Sequence, residues 1–180
     1  MFKKIINIIS SFVDSEPNYS LPHGMLYKRI LKSSYDKFFY IDLKVPDTID
    51  GRFDIIILKI FFFIKIFENS GELEKNFTQK LFDLFMIEVE SSYREMGISD
   101  QSFGKKMKIV IESFYGRTKM YDQNFDNEEK FCECLLRNIW LGNNQMDNES
   151  KKLYHFVLQK VNKYKDKSLD DILLVSSDKF

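Results

Sequence analysis

The sequence contains no alanine, and glycine and proline are scarce, with seven and three copies among 180 residues. Lysine, isoleucine, phenylalanine and asparagine are abundant where alanine, arginine and glycine are usually found, and phenylalanine alone occurs 18 times. Such a composition is typical of codon bias in an AT-rich genome. The high aromatic content of 16% therefore reflects the host as much as the function, and it does not by itself identify a binding surface.

Cysteine is almost absent, and its two copies, Cys132 and Cys134, are too close in sequence for a comfortable structural disulfide. Secreted scaffolds carry cysteines that are spread along the chain, so this pattern favours a reducing compartment and predicts a cytoplasmic protein. With His155 the two thiols could ligate a metal, but side chains at i and i+2 of a helix point to different faces. We therefore predict packing or surface roles for both cysteines and His155, and neither a bound metal nor a cofactor.

Motifs of enzyme chemistry are also missing from the sequence. It has no phosphate loop, no glycine fingerprint for dinucleotides and no zinc-protease motif. The two histidines, His23 and His155, are isolated in sequence, whereas a catalytic site needs several polar groups brought together. We predict that the protein is not an enzyme, that no residue is catalytic and that no small molecule is its substrate.

The chain carries no excess charge of either sign, since 27 basic side chains balance 27 acidic ones. A dedicated nucleic-acid-binding protein usually has a strong basic excess, so that class is disfavoured, although a local basic patch is compatible with this balance. The most apolar segment, residues 55–67, is interrupted by Lys59 and Lys65. It is shorter than the roughly 20 apolar residues of a membrane-spanning helix. This segment is predicted to be a buried core helix.

The first residues have the pattern of a short amphipathic helix. Apolar side chains in residues 1–13 recur at spacings of three and four, and the segment lacks the small-residue cleavage site of a signal peptide. Lys3 and Lys4 lie at one end of the segment instead of along a polar face. Docking on the core is therefore favoured, and contact with the membrane interface is the second alternative.

Helical periodicity dominates the rest of the sequence, and no segment shows the alternating pattern and turn dipeptides of a β-hairpin. Candidate caps and glycines divide the chain into helices. The predicted helices span about residues 25–39, 51–69, 74–96, 101–120, 127–142 and 148–164. We therefore predict an all-α, single-domain bundle of about six or seven helices. Its parts are an N-terminal amphipathic helix and turn at 1–20, a helical domain at 21–165 and a C-terminal tail at 166–180.

Residues 104–119 form a basic stretch, with five basic residues and one acidic residue, Glu112. A solvated basic face explains this pattern as well as a binding patch does. Aromatic side chains interleave with the charges, which is a pattern that binds acidic protein, RNA or lipid head groups. Phe114 and Tyr115 also fit core positions. The candidate partner-binding residues are Arg94, Phe103, Lys105, Lys106, Lys108, Phe114, Tyr115 and Arg117.

Three blocks of sequence carry a family resemblance. They are VPDTIDGRFD at residues 45–54, YREMGISD at 93–100 leading into GKKMK at 104–108, and FYGR at 114–117 followed by Tyr121 and Asp122. In order and spacing, these blocks resemble the ubiquinol–cytochrome c chaperone family, in its short bacterial form. The resemblance covers about residues 35–125, and it leads us to expect a histidine in the apolar helix where this chain has Lys59.

The motif residues have both a structural and a functional interpretation. Glycines 51, 97 and 116 fit helix ends or a close backbone approach. The arginines of the blocks could each pair with a loop carboxylate, and such ion pairs fix how helices meet. Alternatively, some of these arginines belong to the surface that contacts a partner. The arginines are Arg52, Arg94 and Arg117, and their candidate partners are Asp47, Asp50, Asp100 and Asp122. The residues of the structural motif are Pro46, Asp47, Thr48, Gly51, Arg52, Phe53, Gly97, Asp100, Gly104 and Gly116.

The resemblance implies that the protein is an assembly chaperone. It would bind newly made cytochrome b, or another component of bc1 assembly, and assist the biogenesis of the ubiquinol–cytochrome c reductase (bc1) complex. Contact with the ribosome and peripheral association with the inner membrane are further expectations. A client made of apolar transmembrane helices calls for a holding surface of apolar and aromatic side chains rimmed by charge.

The alternative is a generic helical adaptor that binds a protein, or RNA and the ribosome, through residues 104–119. An exposed apolar groove in the structure would favour the chaperone. A continuous positive face without a groove would favour RNA or ribosome binding. A converged polar pocket with a perturbed acid or base would favour an enzyme.

Overall fold

The computed structural model describes residues 19–174, which fold into seven α-helices. These residues contain no β-strand, and the prediction of an all-α, single-domain bundle is confirmed. The helices are α1 (Pro22–Ser34), α2 (Ile49–Ile66), α3 (Glu72–Glu95), α4 (Asp100–Asn124), α5 (Glu128–Ile139), α6 (Asp147–Tyr164) and α7 (Leu169–Leu174).

Helix α2 lies at the centre of the bundle. It contacts α1, α3, α4, α5 and α6. Because a helix that is hydrophobic on all sides must be surrounded by other elements, this position follows from its sequence. The prediction that residues 55–67 form a buried helix is confirmed, since Ile55, Ile60 and Phe61 are fully buried.

Aromatic side chains fill the core around α2. The Phe61 ring lies 5.6 Å from that of Tyr121, 6.0 Å from that of Phe125 and 6.2 Å from that of Phe131, measured between centroids. These separations are typical of favourable aromatic packing. Many of the phenylalanines therefore serve the core and do not mark a binding surface.

Two predicted helices, 25–39 and 101–120, have different boundaries in the structure. Helix α1 begins at Pro22 and ends at Ser34, and a separate π-helical turn follows at Phe38–Asp42. Proline is tolerated in the first helical turn because its missing N–H would have no intrahelical partner there. Helix α4 continues to Asn124, four residues beyond the predicted end, and Tyr121 in this extension is fully buried.

The two ends of the sequence lie partly outside the described residues. The predicted amphipathic helix at residues 1–13 falls outside them entirely. At the other end, α7 packs on α1: Ile172 is fully buried, and the Arg29 guanidinium donates a hydrogen bond to the carbonyl of Leu173. Within residues 19–174, no helix is long and apolar enough to cross a membrane.

Candidate functional site

An apolar groove opens between α1, α2, α3 and α4. Its volume is about 580 Å³. Its apolar lining includes Leu31, Phe53, Ile56, Phe85, Val89 and Val110. The Phe53 and Phe85 rings pack 5.4 Å apart and join α2 to α3. We call this cavity the α1–α4 groove.

Large apolar side chains at the mouth of the groove are exposed. Tyr35, Ile49, Met96 and Ile109 all line it, and each keeps between 51% and 69% of its surface accessible. Single exposed apolar residues are ordinary in soluble proteins, but several around one concave surface indicate an interaction site. The groove thus has the apolar lining expected of a surface that holds an apolar partner.

The first block, residues 45–54, builds the α2 side of the groove. The Thr48 hydroxyl accepts a hydrogen bond from the Gly51 N–H at 3.1 Å and so caps α2. Gly51 is required by space, since a Cβ there would lie 2.0 Å from the Pro46 carbonyl oxygen. The Arg52 Nε lies 2.7 Å from an Asp47 carboxylate oxygen. This tight start of the helix fixes where Phe53 enters the groove.

A buried ion pair ties α2 to α4 beside the groove. The Arg117 Nε lies 2.5 Å from Asp54 Oδ1, and the Asp54 side chain is only 3% exposed. Burial raises the pKa of Asp54 to about 6, although the charge of Arg117 opposes this shift. The Arg117 guanidinium also lies over the Phe53 ring, 5.6 Å from its centroid. This pair is expected to hold the groove wall in place, because breaking a buried pair is costly.

The predicted partners of the three motif arginines were only partly right. Asp47 holds Arg52, as predicted. Arg94 instead pairs at 2.9 Å with Glu90, one turn earlier in its own helix, and Arg117 pairs with Asp54. Neither residue was among the candidates, because Glu90 lies inside a helix and Asp54 is separated from Arg117 by 63 residues.

The basic candidates do not line the groove, except for Arg117. Lys105 and Lys106 are exposed on the first half of α4, and Lys108 is half-buried with its ammonium 3.6 Å from Glu112. The Arg94 guanidinium stacks over the Phe103 ring at 4.7 Å. The predicted segment therefore divides between the groove, which Arg117 lines, and a separate basic face of α4, which carries Lys105, Lys108 and Tyr115.

The two aromatic candidates of α4 differ in exposure. Phe114 is 2% exposed and packs 4.7 Å from the Phe82 ring and 5.6 Å from the Phe85 ring. It is a core residue in this structure. Tyr115 is 48% exposed, and its ring packs 5.4 Å from that of Phe82 and 5.7 Å from that of Phe114. Of the pair, Tyr115 alone is accessible to a partner.

The glycines of the motifs have different environments. Gly97 follows α3 with φ of +70°, and the Ile98 N–H donates to the Tyr93 carbonyl in the manner of a Schellman motif, so the predicted helix end is confirmed. Gly116 lies inside α4, and a Cβ there would meet nothing within 4 Å. The prediction of a helix end or close approach at Gly116 was wrong. Gly104, also inside α4, is equally unhindered.

Lys59, at the position where a histidine was expected, is buried between α2 and α1. Its side chain is 1% exposed, and its ammonium donates a 2.7 Å hydrogen bond to the Ser33 hydroxyl. It also lies 5.0 Å from the centre of the Phe39 ring. Burial lowers the pKa of Lys59 to about 7. Lys59 does not line the groove, so it acts on packing and not on a partner in this site.

The cysteines and histidines are dispersed. Cys132 and Cys134 are buried free thiols on α5, and burial raises the pKa of both. The His155 Nε2 lies 3.4 Å from a Glu128 oxygen at the surface. In the described range 19–174, no three His, Cys, Asp or Glu side chains are arranged to hold a metal ion.

Several groove residues were missed by sequence reasoning. Ile49 and Ile109 are exposed at its mouth, and Glu88 and Glu95 lie along its α3 side. A signal existed for Ile109, because an apolar residue between Lys108 and Val110 falls outside the core-facing stripe of α4. The groove itself had no local signal, since four helices build it.

The comparisons with known proteins agree with the sequence resemblance. A family model of ubiquinol-cytochrome C chaperones matches residues 42–177. Among solved structures, the chain is similar to the crystal structure of the Cbp3 homolog from Brucella abortus. The TM-score is 0.76 at 25% sequence identity, covering 99% of this chain and 94% of that chain. No curated protein matches. Because the family match spans well over half of the sequence, this chain belongs to the ubiquinol-cytochrome C chaperone family.

Proposed function

We propose that this protein is an assembly chaperone that holds newly made cytochrome b during biogenesis of the bc1 complex, and that the α1–α4 groove receives the client. Family membership supports the role in bc1 assembly. The observation that carries the groove assignment is the set of exposed apolar side chains at its mouth, above all Met96 and Ile109.

The groove suits a client whose own apolar helices have not yet found their partners. Full burial of an exposed Met or Ile side chain contributes about 1.5–3 kcal/mol, and Met96 and Ile109, which are about half exposed, would gain roughly half of that. Several such contacts together offset the free-energy cost of association, and the net binding free energy then corresponds to a moderate affinity. A chaperone has to release its client, so moderate affinity fits the role.

The proposal includes no enzymatic turnover. Asp54 has the perturbed pKa that can mark an active site, but it is buried, paired with Arg117 and does not line the groove. We also propose that the protein works on the cytoplasmic side of the inner membrane, in peripheral association with it, because its client is a membrane protein.

A paired set of variants tests the groove. Met96→Ser/Ile109→Ser removes apolar surface from the groove. The control Leu73→Ser/Leu141→Ser removes similar side chains that are 67% and 90% exposed elsewhere. Each tagged protein would be recovered from solubilised host membranes and probed for cytochrome b, after a thermal melt confirms folding. We expect the groove variant to lose most of the cytochrome b and the control to keep it. Equal retention by both folded variants would refute the groove as the client site.

The basic face of α4 supports a second contact. Lys108 and Tyr115 are seven residues apart and lie on the same side of α4, with Lys105 one turn before Lys108; Lys105 is exposed and Tyr115 adds an accessible aromatic ring. We propose that this face meets the ribosome or an assembly partner. Lys105→Glu/Lys108→Glu and Tyr115→Ala should weaken co-sedimentation with ribosomes while cytochrome b retention stays near that of the wild type. Unchanged co-sedimentation of both folded variants would eliminate the ribosome contact.

A further inference from the structure

The α1–α4 groove is lined by three carboxylates as well as by apolar side chains. Glu88 and Glu95 come from α3, and Asp50 comes from the first turn of α2. Glu88 and Glu95 are seven residues apart, so they lie on nearly the same side of α3, about 10.5 Å apart along its axis. The acidic groups therefore form a row and do not crowd at one point.

The two arginines that line the groove, Arg52 and Arg117, are already engaged by other carboxylates. The Arg52 Nε lies 2.7 Å from Asp47, and the Arg117 Nε lies 2.5 Å from Asp54. At the edge of the groove, the Lys106 ammonium lies over the Tyr93 ring, 5.9 Å from its centroid. The two lining arginines are thus neutralised by acids outside the row, and the three acids Asp50, Glu88 and Glu95 outnumber the single Lys106 ammonium, so the groove keeps a negative character.

Glu88 is the half-buried acid of this row, whereas Asp50 and Glu95 are exposed. Among residues 19–174, its carboxylate makes neither a hydrogen bond nor an ion pair, and Glu95 accepts one long hydrogen bond from Ser91, at 3.4 Å. Partial burial raises the pKa of Glu88, and the neighbouring charge of Glu95 adds to the shift. A half-buried carboxylate without a partner costs free energy that a bound cation would recover.

Building on the proposed function, we propose that the groove takes a helical protein segment that is apolar on one face and carries Lys or Arg two turns apart, paired with Glu88 and Glu95. Apolar contacts with Met96 and Ile109 supply affinity, and the two ion pairs set the register and direction of the bound helix. The row of acids disfavours RNA and anionic lipid, since both present phosphates.

This chemistry matches the ends of membrane helices on the cytoplasmic side. Such ends are rich in Lys and Arg, next to a long apolar stretch. A groove with an apolar lining and an acidic row would recognise that junction, whereas an apolar groove alone would bind any part of the helix. Selectivity for the junction leaves the centre of a membrane helix free to insert.

A peptide-binding experiment tests this inference. The probe is a dye-labelled 18-residue helical peptide with a Leu/Ile face and two lysines seven residues apart, and its matched partner has glutamates at those positions. Fluorescence anisotropy with the full chain should show the lysine peptide binding at least about tenfold more tightly. Glu88→Lys/Glu95→Lys should reverse this preference. The control Glu129→Lys/Glu133→Lys makes the same charge change on α5 and should leave the preference as in the wild type.

The outcomes separate this inference from the proposed function. If both peptides bind equally and Met96→Ser/Ile109→Ser abolishes the binding of both, the groove binds apolar helices, but the proposed preference for basic side chains is overturned. If the preference exists but does not respond to charge reversal at Glu88 and Glu95, the assignment to these residues is overturned. If neither peptide binds, the inference fails, while cytochrome b retention still tests the proposed function on its own.

Discussion

Two Gly-Arg pairs in this chain have the same sequence and opposite constraints. In the first, Gly51 has no room for a side chain, because Pro46 lies against it, while Arg52 is exposed and pairs with an exposed Asp47. In the second, Gly116 has free space around it, while Arg117 is bound to the buried Asp54. The comparison shows that the same dipeptide can stabilise the fold through different residues: through the glycine in the first pair and through the arginine in the second.

The largest effect is expected at Gly51. Gly51→Ala places a Cβ 2.0 Å from the Pro46 carbonyl oxygen, so the start of α2 and its preceding loop must move apart. We expect a loss of about 3 kcal/mol or more in the free energy of unfolding. Urea denaturation would measure it. A loss below about 1 kcal/mol would show that the loop adapts freely and would break the comparison.

The Arg117 pair should rank second. Arg117→Met leaves the Asp54 carboxylate buried without its partner, and we expect a loss of about 2–3 kcal/mol, since Arg117 itself is partly exposed. The double variant Asp54→Leu/Arg117→Met removes both charges and should recover much of that stability. If the double variant is as unstable as the single one, the cost comes from packing and not from the unpaired carboxylate.

Gly116 should respond in the opposite direction to Gly51. Since Gly116 lies inside α4 and a Cβ meets nothing there, Gly116→Ala should raise the free energy of unfolding by about 1 kcal/mol, the difference in helix propensity. Thermal and urea melts would both detect this gain. A destabilised Gly116→Ala protein would mean that the backbone of α4 is constrained at this point.

The smallest effect is expected for Arg52. Its side chain and that of Asp47 are 45% and 60% exposed, and exposed ion pairs contribute little to stability. Arg52→Ala should change the free energy of unfolding by about 0.5 kcal/mol or less. If Arg52→Ala lowered the free energy of unfolding as much as Arg117→Met does, the two arginines would contribute equally to stability and the difference between the two Gly-Arg pairs would be refuted.

Local features of the fold could be predicted from the sequence, whereas only Arg117 among the predicted partner-binding residues lines the groove. The buried α2 and the turn at Gly97 depend on residues a few positions apart, and periodicity and capping rules describe them. The Asp54–Arg117 pair joins residues 63 positions apart, which no local pattern reveals. The groove depends on how four helices pack, so the placement of Glu88 beside Ile109 in one concave surface followed only from the structure.

The segment around residues 94–117 also shows why the sequence alone did not predict the binding surface. Its charges and aromatic rings predicted one binding surface, but helical geometry divides them. Arg117 faces the groove, Phe114 enters the core, and Lys105 lies on the basic face. A helix displays successive residues in different directions, so a cluster in sequence is not a cluster in space.

The central claim is that cytochrome b occupies the α1–α4 groove, and site-specific crosslinking tests it most directly. A photoreactive amino acid would replace Ile109 at the mouth of the groove or, as a control, Leu141, which is 90% exposed elsewhere. Irradiation would take place in host cells that are making cytochrome b, and adducts would be identified by mass spectrometry. We predict cytochrome b adducts at Ile109 and none at Leu141. Cytochrome b adducts at Leu141 with none at Ile109 would contradict the account.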